Sequence, residues 1–286
     1  MAEVKQRPVL ELWIDDAPSI VLKPSYFDAL QATGFSTIAV MVDTAKGGWD
    51  PIWSTKNLEA LRALADARKI GIVLTTWPDP VRQYLDDMAK GMDALLQASG
   101  AVGWEVDTEF NWKPEKVRGF KAQPKRTALD LAGDYLVDVM TEAKSTHGVR
   151  RELTTFTSHT ENGRAADVAP QMDLLLVQAY SIRKRPGGQI IEWGHTYAPG
   201  NMQKFTLDRT MLVPGVKEGK VEVGIGQAAW DQTWPGHTPT EAMNVAFKTA
   251  VTYGVRRTRF WSSKWVVGRW RQAYAADFVK SLRAEE

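Results

Sequence analysis

Short runs of apolar residues recur along this chain, and between them lie longer stretches whose apolar residues fall three or four apart. The first pattern is that of strands, alternating or buried on both faces, and the second that of amphipathic helices. Strands are predicted over residues 9–15, 37–42, 71–75, 102–112, 152–157, 173–178, 221–225 and 258–261. Helices are predicted over 24–33, from a cap at Asn57 to about 69, and over 81–98, 127–146, 202–212, 238–253 and 270–282. Thr238 or Thr240 supplies the cap of the helix that ends at Tyr253, and residues 183–201, rich in Gly, Pro and aromatics, read as a long loop. Alternation of strands and helices implies a parallel sheet with crossovers. Eight such units, without a linker or short repeat, imply one α/β domain over residues 1–286, a single (β/α)8 TIM barrel. The alternative, an open doubly wound sheet, lacks a glycine-rich phosphate loop after strand one.

The fourth strand carries the densest chemistry. In Gly103-Trp104-Glu105-Val106-Asp107-Thr108-Glu109, side chains alternate between two faces, so Glu105, Asp107 and Glu109 share one. Neighbouring carboxylates on such a face stand roughly 6–7 Å apart. Their mutual repulsion raises at least one pKa, the condition for a general acid near neutral pH. A solvated edge strand paired with lysines and arginines is the plainer reading of the same residues.

Composition narrows the partners. The chain of 286 residues is 44% hydrophobic and 24% charged with a net charge of +2, which describes a globular protein with no basic tract for nucleic acid. It has no cysteine, so disulfides and thiolate metal sites are excluded. No segment is long and apolar enough to span a membrane, and residues 1–8 lack the apolar core of a signal peptide. The expectation is synthesis in the cytoplasm, with action elsewhere depending on release or delivery. The outlying number is twelve tryptophans. Trp77, Trp104, Trp112, Trp230, Trp234, Trp261 and Trp265 fall at or near strand ends, where flat aromatic faces suit stacking on sugar rings.

In a barrel, residues at the C-terminal strand ends converge. Here these are Asp15, Asp16, Asp43, Trp77, Asp79, Asp107, Glu109, Ser158, His159, Gln178, Tyr180, Gln227, Trp230 and Trp261. Acidic and aromatic residues without a phosphate loop point to neutral sugar polymers. A divalent metal on His159, Asp15, Asp107 and Glu109 is the rival reading, but the four histidines are scattered and none forms a close pair. No metal or cofactor is expected.

These residues carry a resemblance. Gly103-x-Glu105-x-Asp107-x-Glu109 resembles the Asp-Gly-x-Asp-x-Asp-x-Glu strand-four signature of family 18 chitinases, with Val102 and Glu105 in place of its first two aspartates. Gln178-Ala179-Tyr180 resembles that family's Met/Gln-x-Tyr motif, and Trp261 stands where the family keeps a tryptophan floor. The family's Ser-x-Gly-Gly at strand three is replaced by Leu74-Thr75-Thr76-Trp77. The shorter Asp-x-Glu, with an aspartate closing strand one, is similar to the family 25 lysozymes, which cleave peptidoglycan and occur as phage endolysins. Their opening Asp-x-Ser is here Asp15-Asp16-Ala17.

The resemblance implies a glycoside hydrolase acting on an N-acetylhexosamine polymer, peptidoglycan of the bacterial cell wall before chitin. It implies Glu109 as general acid, Asp107 as the group orienting the substrate's acetamide, and Tyr180 as a donor to its oxygen. Asp15 or Asp16 is the alternative second carboxylate for a conventional two-carboxylate route. Glu105, Trp77, Gln178, Trp230, Trp261 and His159 complete the expected substrate-binding set. The competing function is a barrel that has lost catalysis and binds glycan within a phage or secretion particle.

Overall fold

The computed structural model describes residues 9–43, 48–109, 111–156, 168–180, 198–229, 234, 236–267 and 277–278. Eight parallel strands close into a barrel in sequence order. They are β1 (Val9–Ile14), β2 (Thr37–Met41), β3 (Gly71–Thr76), β4 (Gly103–Thr108), β5 (Arg150–Phe156), β6 (Leu174–Gln178), β7 (Glu222–Ala228) and β8 (Arg257–Trp261). The seam joins the two ends of the chain, with Glu11 opposite Arg259 where β1 meets β8.

Among the described residues, helices form close to the predicted ranges over Pro24–Thr33, Thr55–Asp66, Arg82–Ser99, Ala128–His147, Asn201–Thr210 and Pro239–Thr252, with short unpredicted ones at Pro18–Val21, Pro214–Lys217 and Ser263–Val266. The helix Thr55–Asp66 starts one turn earlier than expected: Ser54 is the cap, and its hydroxyl accepts from the backbone N–H of Asn57. Asn57 therefore lies inside the helix. Thr127 and Asp130 form a reciprocal capping box on Ala128–His147, as do Thr238 and Glu241 on Pro239–Thr252. β7 runs on to Ala228, three residues past its expected end. The expected helix over 270–282 lies outside the described residues except for 277–278, as does most of the loop over 183–201.

Strand side chains sort into two environments. Leu10, Leu12, Ile38, Val40, Ile72, Leu74, Trp104, Val106, Leu153, Leu175, Val177, Ile225 and Phe260 belong to the apolar layer packed under the helices. The barrel interior holds Trp13, Ala39, Val73 and Leu176, with Trp261 above them, and a set of buried charges. Two strand glycines make room for what fills this interior. A Cβ on Gly103 would collide with the Glu152 carboxylate, and one on Gly226 would stand 3.2 Å from the Trp13 ring. Gly103→Ala is expected to cost about 2–3 kcal/mol, because displacing Glu152 leaves a buried charge poorly paired. Urea unfolding measures this; a loss below about 0.5 kcal/mol would show that Glu152 repacks freely.

Candidate active site

The C-terminal end of β4 delivers two carboxylates at different depths. Asp107, inside the strand, is 8% exposed, and its Oδ1 has no hydrogen-bond partner. Glu109, the first residue beyond the strand, is half-buried at the rim, and Gln178 Nε2 donates to its Oε1 at 2.7 Å. Tyr180, two residues past Gln178, packs with Trp261 and Trp265 against Ala228. Burial and the neighbouring charges of Glu109 and Glu105 push the Asp107 carboxyl well above the ordinary carboxylate range. Burial also raises Glu109, against the pull of the Gln178 hydrogen bond. The Tyr180 phenol is raised by burial and by the charges of Asp107, Glu109 and Glu105, so it stays a hydrogen-bond donor. The end of β4 thus sets two carboxyls of raised proton affinity near the Tyr180 phenol.

Glu105 lies one pleat below and is not where a substrate-binding residue belongs. It is fully buried, ion-paired with Arg259 Nη1 at 2.8 Å. It accepts hydrogen bonds from Trp13 Nε1 at 2.8 Å, from Thr75 Oγ1 at 2.5 Å, and from Thr154 Oγ1. Side-chain alternation put it on the right face, but every acceptor position is already engaged beneath the site. Asp15 is also committed: Lys264 Nζ stands 2.7 Å from its Oδ2, and Ser263 Oγ lies 3.3 Å from its Oδ1. Asp16 accepts from Ser263 and Tyr26, and Asp43 from Tyr84. The carboxylates just past β1 and β2 are therefore held by neighbouring side chains, whereas Asp107 Oδ1 is not.

The tryptophans divide in the same way. Trp104 and Trp112 are core residues, their indole N–H groups donating to Thr76 Oγ1 and to the Pro78 carbonyl. Trp261 is partly exposed and meets Trp13 edge-on, with centroids 5.8 Å apart at 63°. Trp77 is partly exposed on the β3 side of the rim. Trp230 and His159 lie outside the described residues. Among the described residues, no group of three or more His, Asp or Glu side chains is arranged to hold a metal ion, and no helix is long and apolar enough to cross a membrane.

One residue that sequence reading passed over ties this rim together. Asn111 Oδ1 accepts from the Glu109 backbone N–H at 3.2 Å and from Trp77 Nε1 at 3.1 Å, while its Nδ2 donates to the Pro78 carbonyl at 2.8 Å. A single amide thus fixes the acid's backbone against the loop after β3. Its position two residues after Glu109 was the available signal, since Asn commonly bonds nearby backbone in turns.

No family model matches this chain, and no curated protein matches it by sequence. Its fold, however, is shared with solved glycoside hydrolases. A family 18 chitinase from Pseudoalteromonas aurantia superposes with a TM-score of 0.63 at 12% identity, over 97% of this chain and 100% of that one. Active domain 2 of a thermostable chitinase from Pyrococcus furiosus gives 0.64 at 12% identity, over 98% and 96%. A family 113 β-1,4-mannanase gives 0.62 at 9% identity, over 98% of each. At these identities the likeness is one of architecture, and it extends beyond the chitinases.

The unpaired Asp107 has a thermodynamic signature. Its folded-state pKa is above the unfolded one, so the folded form binds the proton more tightly, and stability falls as pH rises from the ordinary carboxylate range toward the raised value. Asp107→Asn removes that penalty. The variant is expected to melt above wild type at neutral pH, by roughly 2–4 °C for each kcal/mol gained, with the difference vanishing below about pH 4. Calorimetry across pH checks this, and a variant that melts lower at neutral pH contradicts it.

Proposed function

We propose that this barrel is a glycoside hydrolase acting on an N-acetylhexosamine polymer through the substrate's own acetamide. The observation that carries the reading is the pairing of two raised-pKa carboxyls, Asp107 and Glu109, with a protonated Tyr180 at the C-terminal mouth. The fold shared with family 18 chitinases and a mannanase supports the reaction class.

In this reading Glu109, at the rim and protonated, gives its proton to the glycosidic oxygen as the bond to the anomeric carbon breaks. The acetamide carbonyl oxygen attacks that carbon from the opposite face. Asp107 lies beneath and orients the acetamide nitrogen, while the Tyr180 hydroxyl donates to the acetamide oxygen. Water then opens the cyclic intermediate, with Glu109 as general base, and the product keeps its anomeric configuration. Trp261 is the apolar floor of the reacting subsite, and Trp77 lines the side toward β3. The engagement of Asp15 by Lys264 favours this route over one with Asp15 as the second carboxylate.

The polymer is proposed as peptidoglycan or chitin, the former on the Asp-x-Glu likeness to lysozymes alone. Wild type is expected to release reducing ends from one of the two with retention, read by NMR of the fresh anomer. Glu109→Gln should lower kcat by at least 10³-fold while oligosaccharide binding persists. Binding without product from wild type, on both polymers, would instead identify a glycan-binding barrel. Asn111→Ala is expected to lower kcat by ten- to a hundredfold with a smaller change in KM, since it displaces the acid without removing it. An Asn111→Ala enzyme with wild-type kcat would separate the amide from catalysis.

A further inference from the structure

The loop over residues 113–126, which joins the end of β4 to the helix Ala128–His147, carries Lys113, Lys116, Arg118, Lys121, Lys125 and Arg126 against a single carboxylate, Glu115. The whole chain nets only +2, so the rest of it is net negative and its positive charge is concentrated here. At most two of the six cations are adjacent in sequence, which hides them from a search for basic runs.

The loop is on the mouth side of the barrel, and its backbone is pinned. Asn111 Nδ2 and Trp112 Nε1, just before it, both donate to the Pro78 carbonyl at 2.8 Å. Halfway along, the Arg82 backbone N–H donates to the Arg118 carbonyl at 2.9 Å, and the Arg118 N–H to the Pro80 carbonyl at 3.2 Å. Gln123 and Arg126 exchange backbone hydrogen bonds at 3.0 Å, and Thr127 caps the helix that follows. Two of the cations have anions: Glu115 lies 3.9 Å from Lys113, and Asp134 pairs with Arg126. Arg118 donates to the Glu115 and Val117 carbonyls. Lys116, Arg118, Lys121 and Lys125 are exposed, and among the described residues no carboxylate lies within ion-pair distance of them. Like charges fixed on one loop repel each other and contribute nothing to the core. Lys125 also sits at φ 69°, a conformation that glycine or asparagine adopts more easily.

We infer that this loop is a docking edge for a polyanionic glycan of the bacterial cell wall, whose repeating carboxylates or phosphates it holds beside the mouth. A chain leaving the cleft over β3 and β4 meets the loop directly, because Asn111 ties the acid's backbone and the start of the loop to the same carbonyl. A neutral polymer such as chitin offers these cations nothing, whereas repeating anions engage several at once. Nucleic acid fits less well, since the mouth beside the loop holds Asp107 and Glu109. That the polymer is a glycan rests on the proposed hydrolase; the preference for anions does not.

The test uses the full chain carrying Glu109→Gln, so that the polymer is not consumed, with and without Lys116→Gln, Lys121→Gln and Lys125→Gln together. Cosedimentation is measured on peptidoglycan stripped of phosphate polymers, on intact walls and on chitin, from about 0.05 to 0.5 M salt. Wall material is expected to bind about tenfold tighter than chitin at low salt, the scale of a few exposed ion pairs, with the gap closing as salt rises. The triple variant should lose the gap while melting at an unchanged temperature. A preference kept on stripped peptidoglycan assigns the anion as carboxylate, and one confined to intact walls assigns it as phosphate. Equal binding of chitin and walls, a gap unchanged in the triple variant, no binding to any wall material, or tighter binding of duplex DNA overturns the inference. Sugar release by the chain with Glu109 intact is a separate readout: its absence counts against the hydrolase reading only, and cleavage without a preference for anions counts against the docking edge only.

Discussion

The structure depends on one guanidinium in the middle of the barrel. Arg259 satisfies carboxylates from β1, β4 and β5 at once, and nothing apolar of similar size does the same. Burial works against Glu11, yet the charges of Arg259, Arg257 and Arg150 hold its carboxyl below the ordinary range. Glu152, buried with only partial compensation from Arg259 and Arg150, is raised. Such networks gain little net stability over an apolar core, but removing one member leaves charges stranded. What this arrangement contributes is register, since each strand that supplies a charge must bring it to one depth.

That depth separates architecture from chemistry. The lower part of the interior holds arginines ion-paired with glutamates, the middle is closed by Trp13, Ala39, Val73 and Leu176, and in the upper part Asp107 Oδ1 has no hydrogen-bond partner. Unpaired acids beside a paired set cost stability, and this is what makes the mouth a candidate site. The half-buried Glu109 and the deeper Asp107 differ in access to solvent, the difference on which the roles proposed for them rest.

The strand periodicity made the barrel legible, because eight alternations of apolar run and amphipathic stretch have few other solutions. Of the two threonines read as caps, Thr238 is the one, Thr127 caps a helix it was expected to begin, and Ser54 lost to Asn57 because both types cap and only the geometry of the first turn tells them apart. Asp107, Glu109, Gln178 and Tyr180 could be placed at one mouth because barrel strand ends converge. Glu105 was misplaced because alternation gives the face of a side chain and not its height, and its partner lies on β8, far along the chain. Asp15 illustrates the same blindness: Lys264, which engages it, is 249 residues away. The sequence did hold a clue, in Glu11, Glu152, Arg257 and Arg259 set singly at inward positions of apolar strands, where lone charges require partners.

The seam between β1 and β8 gives this network a place in time as well as in space. Glu11 belongs to the first strand of the barrel in chain order, while Arg257 and Arg259, its partners across 246 and 248 residues, belong to the last. Until β8 arrives, the interior glutamates have lost two of their three cations, and a dry, closed interior is unfavourable for them. A barrel closed and dry without β8 would strand those carboxylates. Contacts of such long range close late and slowly. The last strand is the one that lets the water out.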